Sequence, residues 1–233
     1  MTAHVVPPTD LDGRGAPPDA ASHRPRAVAV RRWFIILSPV LAGLFAIVGA
    51  ASDPAVGIDG REMYAIYAEQ PGPLQLKSLG LHWAFAFWAA PALLLAGYVR
   101  GRGAWLANIA AFLGFVGIST LPGLLFVDYY DSAIGQLYGA DGAVAVSEQM
   151  ETMWGVPVFA APAVPGVFLG FLLAIIALWR AGLVRWWAVV AVVAGYVAFG
   201  GVTWWGSLLM TLCFGVVAVA LERATRAGGP GSN

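Results

Sequence analysis

The stretch WWAVVAVVAGYVAFGGVTWWGSLLMTLCFGVVAVAL, Trp186–Leu221, decides the fold. It contains no charged residue, and apolar runs of this length belong in a bilayer. As one α-helix it would be about 54 Å long at 1.5 Å per residue. The hydrocarbon core of a bilayer is only about 30 Å thick. The run must therefore break, and Gly200-Gly201 followed by Val202-Thr203-Trp204-Trp205-Gly206 is the natural place. Two spans result, about 186–200 and 203–221. A single tilted helix, giving five spans in all, is the alternative.

Working outward, four more apolar blocks occur at about 33–51, 78–99, 104–127 and 156–179. Composition agrees with them. The 233 residues are 59% hydrophobic and only 11% charged, with a mean hydropathy of +0.74. A soluble domain carries about 25% charged residues. The fold class expected is an all-α membrane protein with six transmembrane helices. Two long extracytoplasmic loops, each holding short amphipathic helices, complete it. The domain plan is a tail at 1–30, a membrane domain at 31–223 and a second tail at 224–233. The Pro-, Asp- and Gly-rich residues 1–30 lack periodic apolar positions and are expected to be disordered. A docking peptide is the alternative there. For the first span the rival reading is a signal peptide, with Val48-Gly49-Ala50 as the small-residue site. The apolar stretch exceeds the usual h-region, which favours a retained helix.

Thirteen basic and thirteen acidic residues leave no net charge, which excludes the basic excess of a nucleic-acid binder. The charges separate once the spans are drawn. One end of the bundle holds Arg31, Arg32, Arg100, Arg102, Arg180, Arg185, Arg223 and Arg226 together with the N-terminal tail and its three arginines. The other end holds Arg61 and Lys77 alone, the latter the only lysine, among nine carboxylates. Basic residues collect on the cytoplasmic side, so both termini are expected to be cytoplasmic. Tryptophans favour the membrane interfaces. Trp33, Trp105, Trp179, Trp186 and Trp187 fall at the basic end, and Trp83, Trp154, Trp204 and Trp205 near the acidic end. Only Trp88 sits deep. The abundance of Ala, Gly, Pro and Arg fits a GC-rich bacterial source, and hence a bacterial cytoplasmic membrane.

The loops, about 52–77 and 128–155, are longer than structureless connections usually are. Met63, Ile66 and Tyr67 recur at helical spacing, as do Ile134, Leu137 and Tyr138 before Gly139. Ala143, Val146, Met150, Met153 and Trp154 form a further stripe. These helices either close the end of the bundle or form a lid. The two halves also echo one another. Each has a span, an acidic loop, then a span with an Ala-Pro-Ala core (Ala90-Pro91-Ala92 and Ala161-Pro162-Ala163). A parallel repeat or shared membrane constraints would both produce this pattern.

Chemistry-bearing residues are few. The single Cys213 permits no disulfide within the chain. His82 is the one ionisable side chain within a span, a functional candidate by default. Its bland role is a neutral imidazole bonded to backbone or a tyrosine. Asp128-Tyr129-Tyr130-Asp131 ends the third span. Its carboxylates at i and i+3 suit a cation or acid–base work, and otherwise form the polar end of a helix. The ligand-binding candidates are thus His82, Asp128, Tyr129 and Asp131. The hinge candidates are Pro162 and Pro165, in a stretch that also contains small residues suited to close packing. No catalytic residue, metal ligand set, cofactor or nucleotide-binding loop is expected. The expected partners are membrane lipids and a partner membrane protein or second copy of the chain, with no nucleic acid.

The segments Ser119-Thr120-Leu121-Pro122-Gly123-Leu124-Leu125, Asp128 to Gln136, and Leu178-Trp179-Arg180-Ala181-Gly182-Leu183 resemble small six-helix membrane proteins of GC-rich bacteria that carry no assigned function. The resemblance covers about 33–221. It implies six helices and no particular activity. The leading functional expectation is a non-enzymatic polytopic protein, an accessory, sensor or envelope-stress component whose outer loops meet a partner or lipid. A small transporter with a cavity near His82, and an outer-face enzyme using Asp128, Asp131 or His82, are the alternatives.

Overall fold

The computed structural model describes the backbone of residues 18–227 and the side chains of residues 26–226. Eight helices occur among the described residues: α1 (Pro18–Ala51), α2 (Gly60–Glu69), α3 (Pro71–Leu95), α4 (Ala104–Glu151), α5 (Gly155–Ala160), α6 (Ala163–Arg180), α7 (Trp187–Phe199) and α8 (Trp204–Ala227). Five of the membrane candidates, formed by α1, α3, α4, α5 with α6, and α8, are long and apolar enough to cross a membrane. The break expected at Gly200 is present, because α7 stops at Phe199 and α8 starts at Trp204. The tight turn is closed by the Val202 amide donating to the Phe199 carbonyl at 2.7 Å. Helix α7 has 13 residues, about 20 Å, and is shorter than the other five.

Several boundaries differ from expectation. Helix α1 begins at Pro18, within the stretch expected to be tail, and the preceding residues lie outside the described ones. Helix α3 starts at Pro71, seven residues before the expected span, because Pro71 and Pro73 fall in the first turn, where a missing N–H costs nothing. The larger correction concerns the third span. Its helix does not end at Asp128 but runs on as far as Tyr138. Gly139 then takes φ 77° and ψ 172°, and a second helical segment reaches Glu151. That backbone region is open essentially to glycine alone. Loop two is therefore helical on both sides of Gly139, and Val146 and Met150 of the second segment line a common cleft with Val127, Tyr130 and Ile134 of the first. The other loop contributes the expected amphipathic helix, α2, which packs on α4.

The bundle is held together by two glycine seams. A Cβ placed on Gly80 of α3 would lie 2.6 Å from the Gly49 nitrogen of α1. One placed on Gly117 of α4 would lie 2.5 Å from the Val167 nitrogen of α6, and one on Gly166 would lie 2.8 Å from the Gly117 Cα. Lipid tails are as apolar as leucine, so such close backbone approach, rather than hydrophobic burial, drives helix association in a bilayer. Helix α3 bridges the two pairs, and α8 packs on α1 with α7 beside it. Trp88 fills the centre. It is fully buried among Phe85, Phe168, Tyr196, Phe199 and Phe214, with ring centroids 4.4 to 5.9 Å away. The Tyr196 hydroxyl donates to the Phe168 carbonyl at 2.6 Å, tying α7 to α6.

The basic residues at one end also serve structure. Arg31 donates to the Leu94 carbonyl at 2.8 Å, where α3 leaves its last carbonyls free and partly negative. Arg32 faces Glu222 of α8.

Candidate functional site

At the opposite end, the first residues of α3 meet the α1–α2 connection and the middle of α4. Lys77 is the centre of this contact. Its ammonium donates to the Tyr67 hydroxyl of α2 at 2.5 Å and lies over the same ring, 4.7 Å from the centroid. It stands 3.5 Å from Asp53 Oδ2 and 3.6 Å from Asp128 Oδ2. The three charged side chains are only 12 to 21% exposed. Each carboxylate also has a neutral donor: the Ser78 hydroxyl gives to Asp128 at 2.6 Å, and the Ala55 amide gives to Asp53 at 3.1 Å. Burial pushes the Tyr67 hydroxyl above the ordinary phenol range, and the neighbouring ammonium opposes that rise. A buried cation compensated by two carboxylates and hydrogen bonds fixes three elements together.

Helix α2 is fastened to α4 one turn further out. The Ser132 hydroxyl donates to the Tyr67 carbonyl at 2.8 Å, and Gln136 donates to Ser132. Gly135 lets the α2 backbone approach, since a Cβ there would lie 2.9 Å from the Ala68 Cβ. Arg61 pairs with Asp141 in the open, where such a bond contributes little. Helix α2 is thus held against α4 by these bonds and this close approach.

Beside this cluster, starting at Ser78, a cleft of about 280 Å³ opens between α3 and α4. His82, Trp83, Pro122, Phe126 and Tyr129 line it, and Ser78 joins it to the charged cluster. Trp83 and Phe126 are 44% and 57% exposed, so the cleft opens sideways, towards what would be lipid, rather than into the bundle. The His82 ring meets Trp83 edge-on at 5.5 Å. Among the described residues its nitrogens have no hydrogen-bond partner within the chain, unlike the bonded imidazole of the bland expectation.

The four candidate residues are thus divided. His82 and Tyr129 share the α3–α4 cleft, and Asp128 touches that cleft through Ser78. Asp131 lies on another side of α4, among the residues lining the cleft between its two segments. The hinge candidates sit at the junction of α5 and α6, where the backbone stays in the right-handed helical region. Pro162 directly precedes α6, with α5 ending at Ala160, and Pro165 falls in the first turn of α6. Among the described residues no three His, Cys, Asp or Glu side chains converge in a metal-holding group. Sequence reasoning missed the roles of Asp53, Tyr67, Lys77 and Ser78. The signal available was Lys77 itself, the sole lysine of an arginine-rich chain, placed among acidic residues at the end of a span.

Comparison with known protein families, curated sequences and solved structures finds no match.

Proposed function

We propose that the chain is a non-enzymatic, six-span protein of the bacterial cytoplasmic membrane, with both termini cytoplasmic, an accessory or sensory component that engages a membrane lipid at its outer end. The α3–α4 cleft is the observation that carries this reading. Its walls are apolar and aromatic, its mouth opens laterally, and its upper end carries His82, Tyr129 and Ser78. Such a groove suits an acyl chain with polar groups at its head, and a substrate moving through the bundle would instead need the centre that Trp88 occupies. The separation of Asp131 from His82 speaks against an acid–base pair sharing one pocket. Passage of α7 beside α8, with its end next to Leu81 and Val164, supports six spans. The generic likeness to small six-helix proteins of GC-rich bacteria stands as part of the same proposal.

Native mass spectrometry of the purified protein is the test. The wild type is expected to retain a phospholipid that Phe126→Ala with Trp83→Ala releases. A wild type free of lipid, or a double variant that keeps its lipid, would overturn the reading.

A further inference from the structure

Two side chains of the α3–α4 cleft spend their polar groups within the chain. The Ser78 hydroxyl donates to Asp128, and the Tyr129 hydroxyl donates to the Gln75 carbonyl. Among the described residues His82 has no such partner. Its ring nitrogens are also not among the buried polar side-chain atoms left unpaired, which are Arg32 Nε, Trp88 Nε1 and Ser207 Oγ. They therefore reach the molecular surface, and the surface that His82 lines is the cleft. In either protonation state an imidazole presents at least one N–H donor. A donor in apolar surroundings without an acceptor costs free energy, so the cleft calls for an acceptor from outside the chain. Trp83 keeps its indole N–H free too, but its ring is 44% exposed at the mouth, whereas His82 is partly buried.

Depth and charge identify the acceptor. His82 stands five positions after Lys77 on α3, about 7.5 Å along the axis at 1.5 Å per residue. Lys77 and its two carboxylate partners mark the polar boundary of the bundle. The headgroup region of a bilayer is about 5 to 7 Å deep on each side. His82 thus lies below the phosphates, at the level where acyl chains are joined to glycerol. The wall beside it agrees, since Leu79, Pro122, Leu125 and Phe126 carry no polar side chain. The adjoining cluster holds two carboxylates and one ammonium, a net negative charge that repels phosphate. An ester carbonyl meets both conditions, because it is a neutral acceptor at the foot of the headgroup.

We infer that His82 donates a hydrogen bond to a glycerol-ester carbonyl of the phospholipid in the α3–α4 cleft, so that the cleft selects ester-linked over ether-linked lipids. This rests on the lipid reading of that cleft and deepens it: the aromatic walls hold the chain, and His82 reads how the chain is attached.

The test offers the full chain, in detergent micelles, equal amounts of a diester phospholipid and its diether analogue with the same headgroup and chains. Native mass spectrometry counts the lipids retained. The wild type is expected to favour the ester form about fivefold, the weight of one hydrogen bond. His82→Phe, which keeps a ring but has no donor, should retain both forms equally. His82→Gln, which keeps an N–H donor, should preserve part of the preference. Thermal unfolding at the wild-type temperature shows that the variants fold. Equal retention of the two lipids by the wild type overturns the inference without any variant and leaves the lipid-binding cleft standing. A folded His82→Phe with undiminished preference also overturns it. A wild type that retains neither lipid overturns both readings.

Discussion

Replacement of Lys77 by methionine removes the one cation that holds Asp53 and Asp128 together while keeping most of the side-chain volume. At 3.5 and 3.6 Å, each attraction is worth about 4 to 5 kcal/mol at the effective dielectric constant of about 20 that suits such sites. Most of that gain is offset by the cost of drying the three charges. The net loss is therefore smaller than the sum of the attractions. Breaking a buried pair by deleting one partner costs about 3 to 5 kcal/mol, because the other charge stays buried without compensation. Here two carboxylates remain without the cation they share, and the Tyr67 hydroxyl loses its donor. All three charged side chains retain 12 to 21% exposure, which lets water enter and puts the expectation at the lower bound, about 3 kcal/mol. Reversible unfolding in mixed micelles, followed by tryptophan fluorescence, measures it. The double variant Lys77→Met with Asp128→Asn tests the cause. It should be more stable than Lys77→Met alone, with a coupling of about 1 kcal/mol or more. A loss below about 1 kcal/mol for the single variant, the range of exposed pairs, would refute the account. So would a double variant less stable than the single one.

Gly117→Leu should force α4 and α6 apart and lower stability by about 1 to 3 kcal/mol, whereas Gly215→Ala, where a Cβ meets nothing within 4 Å, should be neutral or gain up to about 1 kcal/mol; thermal denaturation in detergent compares the two. Gly139→Ala should cost about 1 to 3 kcal/mol because its backbone conformation is closed to alanine, and proteolysis near 139 should rise as the two segments separate. Tyr196→Phe should cost about 1 kcal/mol through the lost bond between α7 and α6, read by the same unfolding assay. In a Cys213→Ser background, a cysteine at Tyr138, which is 74% exposed, should react with an impermeant thiol reagent added outside intact cells, and one at Arg102 should not. The opposite pattern would reverse the orientation.

The apolar runs carried their reading into the structure because segment length and charge are properties of sequence. A helix that must satisfy its backbone within lipid has few alternatives. The stop at Gly200 was equally legible, since 36 apolar residues overshoot a bilayer whatever they pack against. The same logic failed at Asp128. Polarity ends a membrane span but does not end a helix, and α4 continues beyond the apolar run because α2 is there to cover it and Ser132 and Gly135 fit its backbone. His82, Asp128, Tyr129 and Asp131 could be singled out as chemistry-bearing residues. Their division between two clefts could not, since it depends on which face of α4 meets α3 and which meets the segment after Gly139.

By itself, then, the sequence determined the medium, the helical class, the separation of charge between the two ends and the position of the final turn. All of these follow from hydropathy summed along the chain. Tertiary structure decided which charges meet. Lys77 is separated from Asp53 by 24 positions and from Asp128 by 51, and no local pattern links them. They meet because the Gly49–Gly80 approach sets the height of α3 against α1, and the packing of α4 on α3 brings Asp128 beside Ser78. Coulomb attraction acts over a few ångströms in space, and the distance along the chain does not enter it.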